Sequence, residues 1–338
     1  MNIGIMVSTP AYFTRANHLM FHNAFRSLGH DVEYVSLPDI EVRSGQFYSK
    51  AVQPGRDVQV DDDFRSGLRS VSFAEFDLLW LLDRPHPSAA QDVYQLLWLA
   101  SQKHRFVNSP EGIVFLNNKH NLSAVVPSEN LIPTYSSNSF ANIENYIRAG
   151  TCEKWVAKPP NQGFGADVYV IDPTDSNHRP LLQSLSGNEL ALHEIYRAAT
   201  VGQVAQYCII QDYVPAVMSG EKRIVLAGGE VIGAYGKMQT KDRDGLNRGR
   251  YTNQVAAQVT AAEHAVSARI AENLMGFGIN YAGIDMSFPY VFELNLVTPG
   301  GLQSIDRIQG IDLTPRAAKA ILHSIGLLQE KPELVPAG

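Results

Sequence analysis

The chain has 338 residues, and its 28 lysines and arginines stand against 34 aspartates and glutamates, a formal charge of −6. The length calls for two or three domains, and the acidic balance excludes a surface built to coat nucleic acid, which needs clustered cations. With 45% hydrophobic and 18% charged residues, the composition is that of a globular protein rather than a disordered one. No apolar run reaches the roughly 18 residues that cross a bilayer, and the opening MNIGIMVSTP lacks the charged n-region and long apolar core of a signal peptide. Two cysteines, Cys152 and Cys208, supply neither a disulfide framework nor a thiolate metal cluster. The expected setting is a reducing cytoplasm, with no membrane and no nucleic acid as partner.

In chain order, residues 3–7 are a short apolar run read as a first strand. Residues 17–28 carry apolar side chains at helical spacing, Gly29 stands where a helix C-cap belongs, and residues 31–37 alternate like a strand. A strand is predicted over 76–82, ahead of Asp83 and a proline-bearing turn at 84–87, then a helix over 92–101 and a strand end at 105–108. This β/α alternation predicts an open parallel sheet with crossover helices over residues 1–118. Residues 45–67 show no clear period and are read as a surface loop, with Asp61, Asp62 and Asp63 as a solvated acidic face. A second unit, 119–206, holds a strand at 155–159, a glycine loop at 161–167, a β-like run at 168–171 and a loop at 175–187. A third unit, 207–338, holds strands at 207–211, 223–227 and 231–237, a long helix at 261–275, and a hairpin-like pair at 281–287 and 290–297.

The sharpest chemical signal is Asp285 followed by Glu293 and Asn295. Residues two apart on a strand leave the same face, and a tight turn near Pro289 would set Asp285 opposite Glu293 on that face. Two carboxylates and an amide oxygen form a hard, oxygen-only donor set suited to magnesium held together with phosphates. The flanking Ile284, Met286, Phe292, Leu294 and Leu296 argue for buried strands, where an unpaired carboxylate is costly. Next comes Lys158-Pro-Pro-Asn-Gln-Gly-Phe-Gly165, a lysine at a strand end followed by a loop whose backbone N–H groups could cover phosphates. It is neither a Walker A loop nor a G-x-G-x-x-G fingerprint. A third cluster, Gln211 to Pro215 with Ser219 to Arg223, could offer an extended linker to an adenine edge and Glu221 to ribose hydroxyls. His18 and His22 lack the glutamate of a zincin helix, and His193-Glu194 lacks a second histidine.

With these blocks in this order, the chain resembles the bacterial glutathione synthetases of the ATP-grasp superfamily. The likeness runs through MNIGIMVSTP, FDLLWLLDRPHP and VNSPEGIVFLNNKHNL. It continues through WVAKPPNQGFGADVYVI, IIQDYVPAVMSGEKRIVLAGGEVIGAYGK and AGIDMSFPYVFELNLVTPGG. The resemblance implies a multi-domain α/β (α+β) ATP-grasp fold with an N-terminal Rossmann-like pre-ATP-grasp domain. It further implies an ADP-forming carboxylate–amine ligase that works through an acyl phosphate on small-molecule substrates, as a homodimer or homotetramer. Lys119 and Lys158 would grip the ATP phosphates beneath a loop of Gln162, Gly163, Phe164 and Gly165. Gln211, Asp212, Tyr213 and Val214 would line the adenine pocket, and Glu221 would hold the ribose. Asp285, Glu293 and Asn295 would hold two magnesium ions, for which manganese can substitute.

By the same resemblance, Arg223 would stabilise the transferring phosphoryl group, and Lys237 stands where the family often has arginine. Arg250 and Asn253 in GRYTN look like the family's Arg-x-Asn element with one extra residue. Backbone N–H groups of Gly300 and Gly301 would stabilise a tetrahedral oxyanion. Stretches 161–167 and 238–253 are the lid candidates. Where glutathione synthetases read closer to V-T-S-P-T, this chain reads Val297-Thr-Pro-Gly-Gly301. That departure, with Lys237, keeps open a ligase for a different dipeptide or amide. An ATP-binding regulatory protein without catalysis is the third alternative.

Overall fold

The apolar run after Met1 forms β1 (Asn2–Val7), which lies between two parallel neighbours, β2 (Asp31–Ser36) and β6 (Leu78–Leu81). Strands covered on both faces need apolar side chains on both, which is why all four residues of β6 are apolar and buried. β7 (Phe106–Val107) adds a further parallel strand beyond β6. On the far side of β2, antiparallel β3 (Glu41–Arg43), β4 (Gln46–Val52) and β5 (Arg69–Ser72) complete a seven-stranded sheet of order β3-β4-β2-β1-β6-β7, with β5 on β4. α1 (Ala16–Ser27) follows β1 and is closed off by Gly29 at φ 84; α2 (Ala90–Ser101) and α3 (Pro110–Leu116) follow β6 and β7. The structure is a computed structural model and describes residues 1–8, 16–53, 67–161, 167–186, 206–215, 220–239 and 252–328.

The surface loop expected over 45–67 is a strand in its first part. In β4, Phe47, Ser49 and Ala51 are buried in alternation, and Ser49 Oγ donates to the Ser36 carbonyl at 2.6 Å. Two of the three inward residues are small, so the alternation carries little hydrophobic signal. Asp61, Asp62 and Asp63 lie outside the described residues.

A second, four-stranded antiparallel sheet has the order β10-β9-β11-β8, from β8 (Thr134–Ser137), β9 (Trp155–Lys158), β10 (Tyr169–Ile171) and β11 (Cys208–Asp212). One face packs Trp155, Ala157, Cys208 and Ile210 against α4 (Phe140–Ala149) and α5 (His178–Ser186). By the two-residue period, the other face presents Thr134, Ser136, Lys158, Ile209 and Gln211. Two expectations change here. Within the loop expected over 175–187, residues 178–186 are helix, because Pro180 falls in the first turn, where it is tolerated, and Leu182 supplies a buried anchor. The strand expected to open a third unit at residue 207 is β11, whose apolar centre pairs with β8 and β9 of the second sheet.

The third sheet is antiparallel throughout, in the order β14-β13-β12-β15-β16. Its strands are β12 (Glu221–Ala227), β13 (Glu230–Gln239), β14 (Thr252–Ala256), β15 (Tyr281–Ser287) and β16 (Tyr290–Asn295). Gly228 and Gly229, at φ 56 and 85, make the two-residue turn from β12 to β13, which demands positive φ at both positions. A Cβ on Gly228 would lie 2.1 Å from the Ala320 carbonyl oxygen, so the turn also needs glycine to seat against a helix. α6 (Ala261–Gly276), started by a Thr260/Glu263 capping box, covers one face with Ile270, Ala271 and Leu274 over Ile224, Leu226 and Ile284. α7 (Leu302–Gln309) and α8 (Thr314–Ser324) pack Leu302, Ile305 and Ile321 with Val225, Ala227 and Tyr281 on the other. The same face carries charged residues towards the Glu221 end of β12. Among the described residues no helix is long and apolar enough to cross a membrane.

Candidate active site

Sheet register brings the charged residues together. Arg223 lies opposite Asp285, Asp285 opposite Glu293, and Glu221 opposite Lys237, so all five leave one face of the C-terminal sheet. The hairpin register expected between Asp285 and Glu293 is therefore present, with a bulge just beyond Asp285. Asp285 is 1% exposed and accepts from Arg223 twice, through Nε and through Nη2 at 2.6 Å, and from Lys237 Nζ at 2.9 Å. Lys237 also donates to Glu221, and Asn295 Nδ2 lies 3.5 Å from Asp285 Oδ2. Glu293 pairs with Lys119, Oε1 to Nζ at 3.3 Å.

These contacts set the ionisation of the group. Burial pushes the Asp285 carboxyl up, but Arg223 and then Lys237 outweigh it and hold it below the ordinary carboxylate range. Burial alone would lower Lys237, yet Asp285 and Glu221 raise it above the usual lysine value. Glu221 is raised by its own burial and by repulsion from Asp285, against the pull of Lys237.

Facing these residues is Lys158 of β9, 6% exposed, whose Nζ donates to Gln211 Oε1 at 3.0 Å. Gln211 Nε2 in turn donates to Thr134 Oγ1 at 3.0 Å. Burial, reinforced by the nearby Lys119 and opposed by Glu293, pulls the Lys158 pKa down to about 8. That mutual influence puts Lys119, Lys158 and Glu293 within electrostatic range of one another. Lys119 opens a 3₁₀ turn (Lys119–Ala124) capped by Asn118, and its own N–H donates to the Pro160 carbonyl at 3.1 Å.

The loop at 297–301 is tied down at two carbonyls. Pro299 O accepts from Asn17 Nδ2 at 2.9 Å and from the Tyr281 hydroxyl at 3.2 Å, and Gly300 O accepts from Arg223 Nη1 at 3.1 Å. Gly301 has φ 148, and a Cβ there would meet Val225 Cγ2 at 2.7 Å, whereas one on Gly300 would meet nothing within 4 Å. Only Gly301 is sterically required.

Lys119, Lys158, Gln211, Glu221, Arg223, Lys237, Asp285, Glu293 and Asn295 thus share contacts or electrostatic range. Not all the anticipated residues join them. Asn253 pairs with Met238, so it leaves the face opposite to Lys237, whose cross-strand neighbour is Gln254. In the expected adenine linker, the N–H groups of Asp212 and Tyr213 already donate to Pro133 O and Lys154 O, and the Gln211 amide serves Lys158. Gln162, Gly163, Phe164, Gly165 and Arg250 lie outside the described residues, as does most of each lid candidate. Thr134, Asn17 and Asn108 escape sequence reasoning, because their contacts reach across 77 to 282 residues, as does Tyr281, whose hydroxyl bonds a carbonyl 18 residues on. The one local hint is a polar Asn108 closing an apolar strand.

The donor set suits a hard divalent cation. No three His, Cys, Asp or Glu side chains converge among the described residues. Two carboxylates and an amide would leave positions for water and phosphate oxygens, the usual condition of magnesium. Each carboxylate is held by a cation of the chain, Arg223 and Lys237 on Asp285 and Lys119 on Glu293.

Comparison with known proteins gives a consistent result. Residues 122–310, more than half of the chain, match the family model for the ATP-grasp domain of prokaryotic glutathione synthetase. The glutathione synthetase of Synechocystis sp. is 26% identical over 308 residues, covering 86% of this chain and 88% of that one. That of Synechococcus elongatus is 28% identical over 231 residues, covering 68% of this chain and 65% of the relative, a little under two thirds of its length. The crystal structure of D-cycloserine synthetase DcsG superposes with a TM-score of 0.61 at 17% identity, covering 96% of this chain and 99% of that chain. At that identity the likeness is one of fold, a mixed α/β ATP-grasp fold with several sheets.

Proposed function

The chain belongs to the prokaryotic glutathione synthetase ATP-grasp family, and from that membership we propose that it is an ATP-dependent ligase joining a small carboxylate to an amine. The observation that carries this is the meeting of Asp285, Glu293 and Asn295 with Arg223, Lys237 and Lys119 at one sheet face, within electrostatic range of Lys158. A carboxylate is a poor electrophile at neutral pH. Transfer of the γ-phosphoryl group of ATP to it gives an acyl phosphate and ADP, and attack by the amine then gives the amide and inorganic phosphate.

In this scheme Lys119 and Lys158 bind phosphate oxygens, and Arg223 stabilises the charge that develops on the transferring group. Asp285, Glu293 and Asn295 would hold magnesium, which would neutralise phosphate charge. The 297–301 loop, fixed through Asn17, Tyr281 and Arg223, orients the acyl group, and the N–H of Gly301 at the start of α7 points to an oxyanion role. We read the mixed N-terminal sheet as the Rossmann-like pre-ATP-grasp domain, the β8–β11 sheet as the lid domain, and β12–β16 as the catalytic domain. A homodimer or homotetramer is proposed from the family's habit.

The first substrates to test are γ-glutamylcysteine and glycine. A second reading, an amide ligase with a different acyl substrate, is favoured by Pro299-Gly300-Gly301 and by Lys237. Purified protein with ATP, magnesium and pooled amino acids and γ-glutamyl peptides should release phosphate and yield a new amide by mass spectrometry. The Glu293→Gln protein should do neither. Glutathione as product selects the first reading and another amide selects the second. ATP binding with no phosphate release across the pool would overturn both.

A further inference from the structure

We infer that Asn108 is a positioning residue for the hairpin of β15 and β16, setting Asn295 against Asp285 from within the N-terminal part of the chain. Asn108 follows β7 and is 1% exposed. Its amide uses both ends. Nδ2 donates to Tyr281 O at 2.6 Å and to Leu296 O at 2.7 Å, while Oδ1 accepts the N–H groups of Asn280 and Tyr281, each at 2.8 Å. The first two acceptors belong to different strands: Tyr281 opens β15 and Leu296 directly follows Asn295 at the end of β16. The last backbone pair between these strands is Gly283 with Asn295. Beyond it the chain turns away into the 297–301 loop, and the Asn108 amide supplies the next rung of the ladder. A side chain anchored elsewhere thus fixes how far β16 can part from β15 one residue after Asn295.

No other uncharged residue isosteric with asparagine both donates to two carbonyls and accepts from two N–H groups. The buried carbonyls of Tyr281 and Leu296 would otherwise lack this partner, so a substitution moves the strand ends rather than leaving them in place. Asn295 sits next to the moved carbonyl, and its 3.5 Å spacing to Asp285 is the first distance to change.

This inference rests on the ligase reading and is tested without turnover. Manganese binding to the complex with a non-hydrolysable ATP analogue is followed by electron paramagnetic resonance in the wild type, Asn108→Ser, Asn108→Asp and Asn280→Ala. The last removes a contact to Ser324 Oγ (3.0 Å) in the same corner without touching β16. Asn108→Ser should weaken manganese binding tenfold or more, with metal-free analogue affinity within twofold, while Asn280→Ala leaves both unchanged. If Asn108→Ser does not fold, Asn108→Asp, which keeps both acceptor contacts and loses the donors, gives the same readout. Equal manganese affinity in a folded Asn108 variant, or failure of both variants to fold, reduces Asn108 to a structural clamp and overturns the inference. A wild type that takes up no manganese with the analogue overturns the ligase reading as well.

Discussion

Two lysines on different sheets, Lys158 buried and Lys237 partly buried, differ in almost every respect but their side chain. Lys158, in the central sheet, has the neutral Gln211 as hydrogen-bond acceptor, and burial pulls its pKa down to about 8. Lys237, in the C-terminal sheet, sits on Asp285 and Glu221, and its pKa is raised despite burial. The difference lies in who supplies the counter-charge. The C-terminal sheet carries its own, while the central sheet holds a cation at a cost to the fold, which on the ligase reading a bound phosphate would offset.

The comparison breaks most visibly if the acids of the C-terminal sheet are disarmed. Glu293→Gln should lower steady-state turnover about a thousandfold, the scale for losing a preorganised electrostatic group, with an unchanged circular dichroism spectrum. Asp285→Asn strands Arg223 and Lys237 without their main counter-ion and should cost about 3–5 kcal/mol in urea unfolding, the range for a broken buried pair. The opposite outcome is expected on the other sheet. The shift of Lys158 from 10.5 to about 8 corresponds to a penalty of roughly 3 kcal/mol at neutral pH. Lys158→Met should therefore stabilise the fold by about 2 kcal/mol after the unpaired Gln211 amide is counted, while abolishing ligation.

Because the folded pKa of Lys158 lies below the unfolded one, its penalty is full below pH 8 and fades as the pH climbs towards 10.5. The gain from Lys158→Met should shrink over that window in thermal melts. The smallest effect sharpens the comparison directly. Metal-free ADP affinity, measured by calorimetry, should weaken by at most about tenfold per pH unit above 8 in the wild type. In Lys158→Met it should be nearly flat.

The strands were legible where apolar residues form a run or alternate, as in β1, β2 and the β15–β16 hairpin. Pro289 marked the turn of that hairpin, so the opposition of Asp285 and Glu293 could be foreseen from spacing alone. β4 was lost because Ser49 and Ala51 are buried without being strongly apolar, and α5 because its proline lies in the one turn that accepts it. The ionic partners of Asp285 were named as residues but for a different task. That Arg223 and Lys237 converge on it depends on the registers of β12 with β13 and of β12 with β15, which no local pattern encodes. The face that Asn253 takes was not legible for the same reason, since one step of register decides it.

On the ligase reading, the pairing of Asp285 with Arg223 and Lys237, and of Glu293 with Lys119, would make this site an ion exchanger. A nucleotide arriving with two divalent ions would bring an anion and cations together, so each could take over one half of an existing pair, and the net charge of the site would change little. Binding of such a neutralised guest draws little on long-range attraction. Its affinity should therefore respond only weakly to added salt, unlike that of a bare polyanion captured by an open basic surface.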